Sequence, residues 1–123
     1  MKWSHLLALY LFWPAVLLVV WGELTPNPPD LEVVIWDKIL HFIAYFGLAG
    51  LATVALEARR PAVWAVLVLA VLGGMLEILQ GFTGRDPSFY DEIANILGAA
   101  MGGCSGWLLM TLLQAKPLIP ERE

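Results

Sequence analysis

Polar residues at helical spacing are the first chemistry that this sequence offers. Asp37, His41 and Tyr45 are four apart and stack on one face of a helix, with Lys38 beside them. Glu77 and Gln80 share a second face, and Asp91 and Asn95 a third. Arg85 lies between these two pairs, in a turn punctuated by Gly81 and Gly84. Carboxylates beside an imidazole suit proton transfer, which makes Glu77, His41 and Asp91 the candidate acid–base residues. Arg85 and Lys38 are donors for an oxyanion. The candidate ligand-binding set is Asp37, Lys38, His41, Tyr45, Glu77, Gln80, Arg85, Asp91 and Asn95. His41 with Asp37, Glu77 and Asp91 has the atoms for metal ligation. One His in this region, with no second His near it and no spaced Cys, is a weak metal signature, so no metal or other cofactor is expected.

Simpler roles compete for several of these residues. Ser88 and Asp91 have the spacing of a helix capping pattern, and Asp91 and Glu92 complement a helix dipole. For Asp91, capping and a site role weigh equally. Lys38 can extend along apolar surface to the headgroups. Asp86 and Glu92 are expected to be solvated. Glu77 is harder to place in a bland role, because it falls about one turn inside an apolar run. A carboxylate at the membrane centre costs about 3 kcal/mol on the most lenient scale. Arg85 is the nearest cation to it along the chain and its expected partner. Asp37, Glu77, Asp86, Asp91 and Glu92 stand against Lys38 and Arg85, a local charge of −3. That balance does not describe a simple anion trap.

The elements that must hold these groups are apolar. The 123 residues are 59% hydrophobic and 15% charged, with mean hydropathy +0.73. A single domain of this length cannot bury so much apolar surface in its own core, and a lipid bilayer can cover it. Four apolar segments, about 4–22, 38–56, 62–80 and 93–114, each approach the ~20 residues needed to cross a bilayer. Helices are the expected spanning form, since lipid offers no partner to free backbone groups. The expected fold is therefore an all-α integral membrane bundle of four helices in one domain, 1–123, with a short polar tail at 115–123.

The first segment has some features of a signal peptide, with Lys2 ahead of an apolar run. Its length and the bulky Trp13 and Trp21 favour a retained helix, which Pro14 is expected to kink. Pro26, Pro28 and Pro29 predict an extended connection after it, with 31–36 along the interface. Lys2, Arg59, Arg60, Lys116 and Arg122 fall on one side, and Lys38 and Arg85 on the other. The excess of Lys and Arg marks the cytoplasmic side, so both termini are expected there and the polar groups outside. Trp3 and Trp64 fit an inner aromatic belt, and Trp21, Trp36 and Tyr90 an outer one.

The fourth segment carries Gly98, Gly102 and Gly106 on one face. Such a stripe lets another helix approach closely. It suits packing within the chain or self-association, and packing is favoured because three other helices need a partner. Cys104, the lone cysteine, allows no internal disulfide. With −4 net charge and no basic run, nucleic acid is not an expected partner.

These motifs resemble the VanZ-like family. The resemblance rests on Asp37-Lys38-x-x-His41-Phe42-x-x-Tyr45-x-x-Leu48, then Glu77-x-x-Gln80-x-Phe82 followed by Arg85, then Asp91-x-x-x-Asn95-x-x-Gly98-x-x-x-Gly102. It covers about 33–103. The family has proline and glycine before the arginine, where this chain has Thr83-Gly84. The resemblance implies a bacterial envelope protein, multi-pass in the plasma membrane. The family's named member is associated with low-level teicoplanin resistance, which is not carried over to this chain.

Three functions compete on this reading. The first is a polar site engaging an envelope lipid or lipid-linked headgroup, its tail among the helices. The second is an enzyme acting on such a lipid or peptide, with Glu77 or Asp91 as base and His41 as proton shuttle; no nucleophile motif accompanies it. The third is a structural scaffold that meets larger membrane partners through the glycine stripe. Proton or cation passage is disfavoured, because no charged residue continues through the inner halves of the segments.

Overall fold

The computed structural model describes residues 2–26 and 33–114. Four helices make up the described chain: α1 (Lys2–Leu24), α2 (Val33–Leu56), α3 (Arg59–Gln80) and α4 (Phe89–Gln114). All four are long and apolar enough to cross a membrane. Their outward faces confirm the solvent they are made for: Trp13 is 63% exposed, Leu17 70%, Val68 64% and Leu112 64%. Such faces in water would form an apolar coat far beyond what a soluble monomer shows. The chain is a multi-pass membrane protein.

The C-terminal ends of α2, α3 and α4 fall where the apolar pattern predicts. Their N-terminal ends begin earlier than predicted, at Val33, Arg59 and Phe89. Apolar periodicity marks only the lipid-covered part of a helix, and the polar first turns that carry Arg59 and Asp91 extend α3 and α4 beyond it, while α2 gains a turn, Val33–Trp36, ahead of Asp37. Helix α1 runs without interruption through Pro14. Pro61 sits in the first turn of α3, where its missing N–H has no intrahelical acceptor to lose. The turn between α2 and α3 places Glu57 at φ 51°. Pro28, Pro29 and the start of the predicted interfacial segment lie outside the described residues, as does the tail with Lys116 and Arg122.

Helices α2 and α4 form the tight centre. A Cβ at Gly98 would collide with the Phe42 carbonyl oxygen, and one at Gly102 with that of Phe46. At Gly106 it would lie 2.8 Å from the Gly50 carbonyl oxygen. Backbone therefore lies on backbone along three turns, the arrangement that small residues permit. The stripe is taken up by α2 within the chain. Tyr45, Leu48, Ala49, Leu69 and Ala99 form the buried core beside this contact, with Phe12, Val16 and Val19 of α1 packed against it. Helix α3 closes one side through Leu69, Gly73, Leu76 and Glu77. Helix α1 covers the other side more loosely, and grooves remain along it.

Candidate functional site

At one end of the bundle all four helices bring polar groups together. His41 is the centre, only 4% exposed. Its Nδ1 lies 2.9 Å from Asn95 Oδ1, 3.5 Å from Glu23 Oε1 and 3.7 Å from Glu77 Oε1. Its Nε2 lies 4.0 Å from Asp37 Oδ1. The hydrogen positions follow from the network. Asn95 Nδ2 donates to Glu92 Oε2 at 3.2 Å, so Asn95 Oδ1 is the acceptor and His41 Nδ1 carries a hydrogen. That single hydrogen goes to the nearest acceptor, Asn95.

Two ion pairs flank the imidazole. Lys38 Nζ reaches Asp91 Oδ1 at 2.8 Å from α2 to α4. Arg85 Nη2 meets both oxygens of Asp37, at 2.7 and 2.9 Å. Arg85 Nη1 donates to the carbonyls of Gly22 and Glu23, at 3.3 and 3.1 Å. These carbonyls belong to the last turn of α1, where backbone acceptors have no helical partner. Arg85 thus fastens the end of α1 to α2. It does not pair with Glu77, the partner expected from proximity along the chain. The turn at Gly81–Gly84 (φ 84° at Gly84) carries the guanidinium across to α1 and α2 instead, away from the preceding helix.

Glu77 has a different job. Its Oε2 accepts the Ser88 backbone N–H at 3.0 Å, just ahead of α4. In a capping box this N–H is taken by the acidic residue three positions later. Here that residue is Asp91, and it binds Lys38. A carboxylate from α3 caps α4, which releases Asp91 into the cluster. Glu92, expected in solvent, turns back against α3, with Oε2 2.8 Å from where a Gly73 Cβ would stand. Asp86 is exposed as expected.

The sequence pattern therefore brings together the side chains of Asp37, Lys38, His41, Glu77, Arg85, Asp91 and Asn95. Tyr45 and Gln80 are fully buried at 0% exposure, and neither the Tyr45 hydroxyl nor the Gln80 amide has a hydrogen-bond partner among the described residues. The pattern missed Glu23. It is 6% exposed, and both its oxygens lack a hydrogen bond, as does Glu77 Oε1. The available signal was position: Glu23 is the acidic residue of α1, at the same end of the bundle as the other polar groups.

Ligand atoms of Asp37, His41 and Asp91 lie within 4.8 Å of one another, close enough to hold a metal. Each carboxylate already has a cationic side chain, so a metal would have to displace Arg85 and Lys38. A groove of about 520 Å³ opens onto the cluster between α1 and α2. Glu23, Asp37, His41 and Arg85 line its polar end, and Leu18, Leu40, Ile43 and Leu51 its apolar length. Gly22 and Gly47 also line it, and a Cβ at either would meet nothing within 4 Å.

A protein-family model described as VanZ/LLP1 matches residues 3–113. No match was found among the curated proteins, and none among the solved structures.

Proposed function

The chain belongs to the VanZ/LLP1 family, and on that premise we propose that its polar cluster receives the head of a membrane amphiphile whose tail lies between α1 and α2. The observation that carries this reading is the groove itself, polar at one end and apolar along the rest. A lipid or a lipid-linked headgroup has the same division. Ligand sites are commonly apolar concavities with a few polar groups that fix orientation, and polar clusters within membranes commonly serve function. The distribution of Lys and Arg along the sequence favours a head end that faces outward from the plasma membrane of a bacterial envelope.

Gly47→Leu tests the reading, because it fills the groove where no side chain stands in the way. The purified variant should retain less co-purified lipid by native mass spectrometry than the parent, at equal thermal stability. Equal retention of the same lipids by both proteins would remove the groove from consideration.

A second reading, acid–base catalysis on the bound head, is favoured by His41 standing between Glu23 and Glu77. Glu77→Gln would then abolish turnover of an envelope-lipid pool at normal expression. Absence of turnover by the parent protein would count against it.

A further inference from the structure

Resting on the amphiphile reading, we infer that the head group is a primary ammonium held by the Glu23 carboxylate. The argument is one of unfilled hydrogen-bonding capacity. The two cations of the cluster are committed. Lys38 is spent on Asp91, and Arg85 on Asp37 and the end of α1. The His41 Nδ1 hydrogen goes to Asn95. Toward the groove, what remains open is acceptor capacity: both oxygens of Glu23, with Oε1 of Glu77 behind it, whereas the unpartnered Tyr45 hydroxyl and Gln80 amide do not line the groove. The Tyr45 hydroxyl lies beside Glu23 and interacts with it short of full hydrogen-bond geometry; a single O–H can satisfy only one of the two carboxylate oxygens, so acceptor capacity remains for a ligand.

Glu23 is the open acceptor that lines the groove, with its side chain only 7% exposed. Leaving a buried carboxylate without a donor is costly. Charge points the same way. Glu23, Asp37, Glu77, Asp91 and Glu92 against Lys38 and Arg85 give −5 + 2 = −3. An oxyanion head would add negative charge to a site whose groove-lining cation, Arg85, is already engaged. An ammonium supplies three N–H donors and a positive charge, and its acyl chain continues into the apolar groove. Charge-assisted hydrogen bonds of this kind are stronger than neutral ones.

The test uses full-length protein in dodecyl maltoside and two probes with the same tail, dodecylammonium and dodecyl phosphate, titrated by native mass spectrometry. Dodecylammonium should bind at least about tenfold more tightly, the scale of one charge-assisted hydrogen bond. Glu23→Gln, which keeps shape and loses charge, should reduce its affinity about tenfold or more, and Glu23→Asp should restore part of it. Glu57→Gln, at the opposite end of the bundle, should bind like the parent. A preference for dodecyl phosphate, an unchanged affinity in Glu23→Gln, or displacement of dodecylammonium by Zn²⁺ or Mg²⁺ alone would overturn the inference. Phosphate binding that Gly47→Leu weakens would overturn the ammonium head and leave the amphiphile reading standing. If Gly47→Leu changes the binding of neither probe, both readings fall.

Discussion

The α2–α4 pair and the α1 helix are held by opposite means. Between α2 and α4 the backbones meet, with Gly98, Gly102 and Gly106 against the carbonyls of Phe42, Phe46 and Gly50. This contact has no slack, and it fixes the residues that cross it, Lys38 to Asp91 and His41 to Asn95. Helix α1 lies on side chains, leaves a groove beside α2, and is fastened at its end by one guanidinium. Yet α1 brings Glu23, the open carboxylate. Precision in this molecule comes from the pair, and access comes from the helix that is loosely attached.

Three substitutions separate these modes of attachment. The largest effect is expected from Gly102→Leu. The side chain would overlap the Phe46 carbonyl, and overpacking a tight contact costs about 1–3 kcal/mol even where neighbours can yield. Backbone cannot yield as a side chain does, so little folded protein should survive detergent extraction and size-exclusion chromatography. A normal elution profile would show that the helices are not held together there.

Arg85→Ala comes next. It leaves Asp37 without its cation and the last carbonyls of α1 without a donor, and a cost on the order of 2 kcal/mol is expected. The loss should be local. Hydrogen exchange should accelerate at Trp21–Leu24 and stay unchanged in the middle of α4. Equal acceleration in both would make Arg85 part of the central frame. The smallest effect belongs to Leu18→Ala on the groove wall. Groove walls lack the enclosing neighbours that make core truncations expensive, so the melting temperature should fall less than for Leu48→Ala in the core, where losses of about 2–5 kcal/mol are usual.

Much of this was readable in the residues. Four apolar stretches gave the spans because a bilayer demands length and hydropathy above all. The faces of α2, α3 and α4 were readable because helical spacing is local. Partner choice was not. Arg85 follows Glu77 closely in sequence, but the turn carries it to Asp37 and α1. Glu92 looks like a solvated first-turn charge, and it is Gly73 and Gly74 across on α3 that make room for it. Glu23 reads as the polar end of an apolar helix before a proline-rich connection. Its burial depends on α1 folding against α2, which no pattern within α1 encodes.

The Arg85 fastening also sets an order of events during synthesis. Everything it holds, at Gly22, Glu23 and Asp37, leaves the ribosome before it does. The first two helices therefore enter the bilayer with their shared end unclosed. Closure waits until the third span has been threaded and its turn has emerged. A chain arrested just short of Arg85 would carry three spans and a first one left unlatched.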